Sequence, residues 1–232
     1  LSFYILGKRI WTGSEKNILA FSAGAGNVGY FGLPVIIALF GEQAFSYAVL
    51  FIFGLVLYEC TLGYYITAKG RYSTRESLIK LVKLPTIYAF LLGAIINILH
   101  INIGGNIQEA VLSVRGAYSV LGMMLVGAGL ASITKWQIDY VFTGFSFVAK
   151  FIAYPLLVCS IIYIDMQVLH VYSPTIYQVL ILLSIVPLAS NTVAFAVKLD
   201  VHPSKMAMSV FLSTMFAIVY IPIMISLLQK WI

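Results

Sequence analysis

Asn27 and Asn191 stand inside long apolar stretches of this 232-residue chain, each among residues that weaken a helix. The first stretch reads FSAGAGNVGYFGLPVIIALF and sets Gly26, Gly29 and Pro34 around its asparagine. The second reads LLSIVPLASNTVAFAV and sets Pro187, Ser190 and Thr192 around its own. A helix in lipid keeps its backbone hydrogen bonds internal, because hydrocarbon offers no other partners. Glycine and proline open that ladder. A side-chain amide has two donors and an acceptor, so it can cap the freed backbone groups or meet a carboxylate. The N-terminus of a half-helix carries about half a positive charge, which suits an anion. Paired broken helices in two halves of a chain point to the binding site of a transporter. The plainer readings are caps that serve only their own helix, glycines that allow close packing, and prolines that merely kink.

Three charged residues fall more than one helical turn inside apolar segments. Lys150, in VAKFIAYP, is near the middle of its segment. A central ion is costly in lipid, so it should face protein or water, either as a partner for an anion or in an ion pair with Glu59. Glu59, in LVLYECTLG, is either a coupling carboxylate or that partner. Arg115 is close enough to the end of its segment to snorkel, with a gating role as the alternative.

The elements that must hold these residues are membrane helices. The chain is 61% hydrophobic and 9% charged, with a mean hydropathy of +0.99. Soluble domains have roughly 45–50% apolar and about 25% charged residues. A spanning helix needs about 20 mainly apolar residues. Seven complete candidates cover residues 17–40, 44–68, 84–101, 110–133, 138–163, 176–197 and 203–228. Residues 1–7 look like the end of a further helix, and we expect the chain to begin inside a longer protein.

The net charge of +6 follows the loops. Lys8, Arg9, Lys16, Lys69, Arg71, Arg75, Lys80, Lys83, Lys135, Lys198 and Lys205 all fall on one side, whereas loops 41–43, 102–109 and 164–175 hold no Lys or Arg. The positive-inside rule places the basic loops in the cytoplasm and the C-terminus outside, in a plasma or bacterial inner membrane. The charge is therefore topogenic, and nucleic acid is not an expected partner. Residues 77–83 form either an amphipathic helix on the inner leaflet or a solvated loop. Cys60 and Cys159 read as small buried apolar side chains. His100, His170 and His202 are scattered, so neither a metal nor a cofactor is expected. Trp11, Trp136 and Trp231 suit interfacial anchors.

The runs GNVGYFGLPVIIALFGEQAFSYAVLF, LGMMLVGAGLASI, VAKFIAYPLLV and VPLASNTVAFAVKLDVHPSKMAMSVFLSTMFAIVYIPI resemble the auxin efflux carrier family of permeases. The resemblance implies an all-α polytopic fold of ten helices in two inverted repeats of five. Of that fold the chain would hold seven complete helices and an N-terminal stub. Residues 1–68 and 138–232 would form the moving transport part and residues 84–133 the scaffold, with 69–83 as a cytoplasmic loop between them. The two broken helices would cross at mid-membrane. Substrate would bind beside Gly26, Asn27, Gly29, Pro34, Lys150, Pro187, Ser190, Asn191 and Thr192, with Glu59 and Arg115 coupling or gating. Small organic anions, auxin-like acids or dicarboxylates, are the implied substrates, and the scaffold helices offer a homodimer surface. A seven-helix receptor or a channel is the alternative. The signatures of a metalloprotease or a serine hydrolase are missing, so no enzyme is expected.

Overall fold

The computed structural model describes residues 2–101 and 138–228, and part of 104–128. Helices α1 (Ser2–Ile10) and α2 (Glu15–Gly24) lead to an opening at residues 25–27. A π-helical turn, Val28–Gly32, restarts the helix and runs into α3 (Leu33–Tyr58), which is kinked at Gly41 with φ of 73°. A second π turn, Glu59–Gly63, joins α3 to α4 (Tyr64–Ala68). Then come α5 (Thr74–Val82) and α6 (Pro85–Ile98). Helices α7 (Tyr140–Phe147) and α8 (Tyr154–Ile164) are joined by a third π turn, Val148–Ala153. Helices α9 (Pro174–Ile185) and α10 (Ser190–Leu199) flank the second opening, and α11 (Pro203–Leu228) follows. There is no strand among the described residues, only an isolated antiparallel bridge between Gly26 and Leu188.

That bridge marks where the two interrupted helices cross. On one side of it α2 packs with α10, through Phe21 stacked on Phe195 at 5.6 Å between ring centroids. On the other side Val28 and Ile36 pack with Val179, Leu182 and Leu183 of α9. Each side has its own apolar cluster. Gly32 is needed for the approach, because a Cβ there would come within 3.1 Å of Val186 and 3.2 Å of Leu183.

Among the described residues, three helices are long and apolar enough to cross a membrane: Ala44–Ala68, Tyr140–Leu169 and Pro203–Leu227. A fourth is added if α5 and α6, bent by 50°, count as one. The seven expected spans are therefore seen only as this coarser pattern of apolar helices. Segments 17–40 and 176–197 are each split by their openings, leaving the shorter apolar helices Val28–Gly41 and Pro174–Ile185. Segment 84–101 contributes the 14 residues of α6. Segment 110–133 is largely outside the described residues. The 77–83 segment is helical from Thr74, because Ser73 and Glu76 form a capping box that starts it earlier.

Candidate functional site at the helix crossing

The crossing is built from backbone first. The Asn27 N–H donates to the Pro187 carbonyl at 2.8 Å, and the Leu188 N–H donates to Ser213 Oγ at 3.2 Å. The carbonyl of Asn27 accepts from the N–H groups of Phe31 and Gly32, at 3.2 and 3.0 Å, which starts the π turn. Tyr58 donates its hydroxyl to the carbonyls of Ala20 and Phe21, at 3.3 and 3.1 Å. Phe21 is in the last turn of α2, where carbonyls lose their helical partners. Each opening is thus satisfied from outside its own helix, as apolar surroundings require.

Asn27 is 2% exposed and donates its amide Nδ2 to Ser190 Oγ at 3.3 Å, so it reaches from one broken helix to the other. Its Oδ1 is buried without a hydrogen-bond partner. A half-turn of the amide exchanges oxygen and nitrogen within nearly the same shape. The Ser190 hydroxyl would then donate, and the NH₂ would be turned away from it. Asn191 donates Nδ2 to Glu59 Oε2 at 2.8 Å. Glu59 is 3% exposed.

These groups share one cavity of about 80 Å³, lined by Gly26, Asn27, Gly29, Glu59, Ser190 and Asn191 among others. Its walls include the first turns that follow both openings, so two helix N-termini contribute to one space. The cavity is large enough for a few waters, whose share of the liquid is about 30 Å³ each. A larger, mostly apolar cavity of about 660 Å³ adjoins it, with Val28 and Leu55 lining both. Tyr58 and Tyr154 stand in the wall of the larger one.

Lys150 is fully buried, and its ammonium has no hydrogen-bond partner among the described residues. It sits over the Tyr154 ring, 4.3 Å from the centroid. A Cβ on Gly26 would lie 2.6 Å from its Nζ and 3.1 Å from Val186, so the ammonium is near the opening where α2 and α10 cross and α9 ends. C-terminal helix ends carry partial negative charge that a cation offsets. Lys150 and Glu59 make no ion pair: the carboxylate takes its bond from Asn191 instead. Asn27, Glu59 and Lys150 each stand in or next to a π turn, a departure from α geometry that often marks functional sites.

Two expected site residues are elsewhere. Pro34 is at the start of α3, exposed, against a separate groove with Pro222. Proline is tolerated in a first turn because its missing N–H has no helical partner there. It begins the helix and does not open it. Thr192 donates Oγ1 to the Ala189 carbonyl at 2.5 Å and so serves the start of α10. Pro187 contributes its carbonyl, and Gly29 lines the cavity with open space around it. Arg115 is outside the described residues. Sequence reasoning overlooked Tyr58 and Ser213. Hydroxyls beside Glu59 and in the LST run were the available signals.

The basic end of the crossing is tied by side chains. Glu15 pairs with Lys205 at 3.0 Å and His202 at 3.3 Å, and Lys205 also pairs with Asp139 at 2.9 Å. Arg71 pairs with Asp200. Burial alone would raise the Glu15 carboxyl, but its backbone hydrogen bond, Lys205 and His202 outweigh that and hold it below the usual value. Burial lowers the His202 imidazole, against the pull of Glu15. Cys60 is buried as expected, but Cys159 is exposed. No group of three metal-ligating side chains occurs among the described residues. Comparison with protein-family models, with curated proteins and with solved structures returned no match.

Proposed function

We propose that the chain is a secondary transporter, or part of one, that carries small organic anions by alternating access around the crossing. The observation that carries this reading is the joining of the two openings, Asn27 N–H to Pro187 carbonyl and Asn27 amide to Ser190, around one cavity. Two helix N-termini facing one space favour an anionic group, against the opposing charge of the Glu59 carboxylate in the same wall. The small cavity suits a carboxylate, and the adjoining apolar cavity suits the body of the molecule. Ligand pockets commonly have about 300–1,000 Å³, a range that includes the larger space.

The finer fold belongs to the same proposal. The order of openings and the motif runs support a ten-helix inverted repeat resembling the auxin efflux carriers, with basic loops in the cytoplasm. Residues 84–133 would then be scaffold and dimer surface, and the remainder would move against it. Uptake of a panel of labelled aryl acetates and dicarboxylates into vesicles containing the protein tests the function. Asn27→Ala and Asn191→Ala should each reduce uptake at least about tenfold, equivalent to ~1.4 kcal/mol, at unchanged protein level in the membrane. Equal uptake by both variants and the parent contradicts the proposal.

A further inference from the structure

Helix α5 has three faces, each suited to a different environment. Ser77 is buried and Leu81, one turn on, packs against the core. Leu78, Ile79 and Val82 occupy the next arc and are 48%, 45% and 59% exposed. Glu76, Lys80 and Lys83, at spacings of four and three, form the third arc. Protein, hydrocarbon and water side by side is what a helix meets at the edge of a bilayer. The helix continues into α6 through a bend of 50° at Leu84–Pro85, so it leaves the line of the apolar helix instead of extending it.

Charge decides what covers the apolar arc. Residues 69–83 hold five Lys or Arg and one acid, Glu76. Arg71 is committed to Asp200, and Lys69 donates to Thr74 Oγ1 at 2.8 Å. Lys80 has its ammonium over the Tyr72 ring, 4.2 Å from the centroid. Arg75 and Lys83 have no partner among the described residues. Unspent cations flanking exposed aliphatic side chains match a surface with phosphates above acyl chains.

We propose that α5 docks on anionic phospholipid, with Leu78, Ile79 and Val82 in the acyl boundary and Arg75, Lys80 and Lys83 at the headgroup phosphates. The inference rests on the membrane reading of α6 and not on what is transported. The protein would thereby gather negatively charged lipid around its basic side.

The test needs no substrate. In a Cys159→Ser background, spin labels are placed at Glu76→Cys, Ile79→Cys and Val82→Cys in the full chain, reconstituted in phosphatidylcholine containing phosphatidylglycerol. Labels at 79 and 82 should be reached by oxygen more than by a water-soluble nickel chelate, and the label at 76 should show the reverse. Spin-labelled phosphatidylglycerol should associate in preference to phosphatidylcholine. Arg75→Gln, Lys80→Gln and Lys83→Gln together should reduce that preference roughly threefold or more. Nickel access at 79 and 82, shielding of both from either reagent as under a second copy, or an unchanged lipid preference each overturns the proposal.

Discussion

The two openings solve one problem with different parts. The second is supported by hydroxyls: Ser213 takes the Leu188 N–H, and Thr192 donates to the Ala189 carbonyl. Its asparagine is occupied by Glu59. The first opening leans on the second, through Pro187 and Ser190, and on the Tyr58 hydroxyl. Its asparagine keeps an unmatched carbonyl, and it restarts through a π turn where the second restarts directly as α-helix. The second arm is thus the fixed side of the crossing, and the first arm is the side with unspent hydrogen-bonding capacity.

The strongest way to break this contrast is at the bridge. Gly26→Val places carbon against the Lys150 ammonium and Val186, both already within 3.1 Å of a Cβ there. Overpacking typically costs about 1–3 kcal/mol, and because the bridge joins the two openings around the proposed site, uptake should vanish with it. Gly29→Val, with open space around its Cβ, should keep most of the stability. Thermal unfolding in detergent separates the two, and equal losses would remove the bridge from the account.

Ser213→Ala probes the other side. It leaves the buried Leu188 N–H without its partner, at roughly 1–3 kcal/mol. Thermal unfolding should show that loss, and an unchanged midpoint would mean that the second opening is not held by α11.

Glu59→Gln sharpens the contrast chemically. The carboxylate lines the cavity in which the proposal places the anionic group of the substrate. Glutamine can still accept from Asn191 but removes the negative charge. Anion affinity should rise severalfold in the variant. Lower affinity at every pH would assign Glu59 a positive part in holding the substrate.

The smallest effect belongs to the basic end. His202 is held below its ordinary 6.5, so below that pH the unfolded chain binds a proton ahead of the folded one. Stability from this group is present above 6.5 and lost as pH falls. Glu15, lowered from 4.5, acts only in a more acidic window. The thermal midpoint should drop slightly from pH 7.5 to 5.5 in the parent, and His202→Gln should flatten that drop. A midpoint that rises on acidification reverses the assignment.

Much of this arrangement was legible in the sequence, because glycine, proline and asparagine inside an apolar run leave few alternatives. The first opening falls at Asn27, and the second falls just before Asn191, at residues 186–189. Pairing across the crossing was not legible: nothing in the spacing of Asn191 and Glu59, 132 residues apart, indicates a bond between them. Pro34 misled because a proline close after an opening starts the next helix as readily as it breaks one. The sequence has Lys150 facing protein or water; its full burial and its neighbours, Gly26 and Tyr154, follow from the fold and not from composition.

The central claim is that the crossing holds a carboxylate next to Asn27. Equilibrium binding of a labelled aryl acetate and of its uncharged primary amide, to the parent and to Asn27→Ala, tests it most directly. The account predicts that the acid binds at least about tenfold tighter than the amide, ~1.4 kcal/mol, and that Asn27→Ala removes most of that difference. Equal binding of acid and amide by the parent, or a preference untouched by Asn27→Ala, would contradict it.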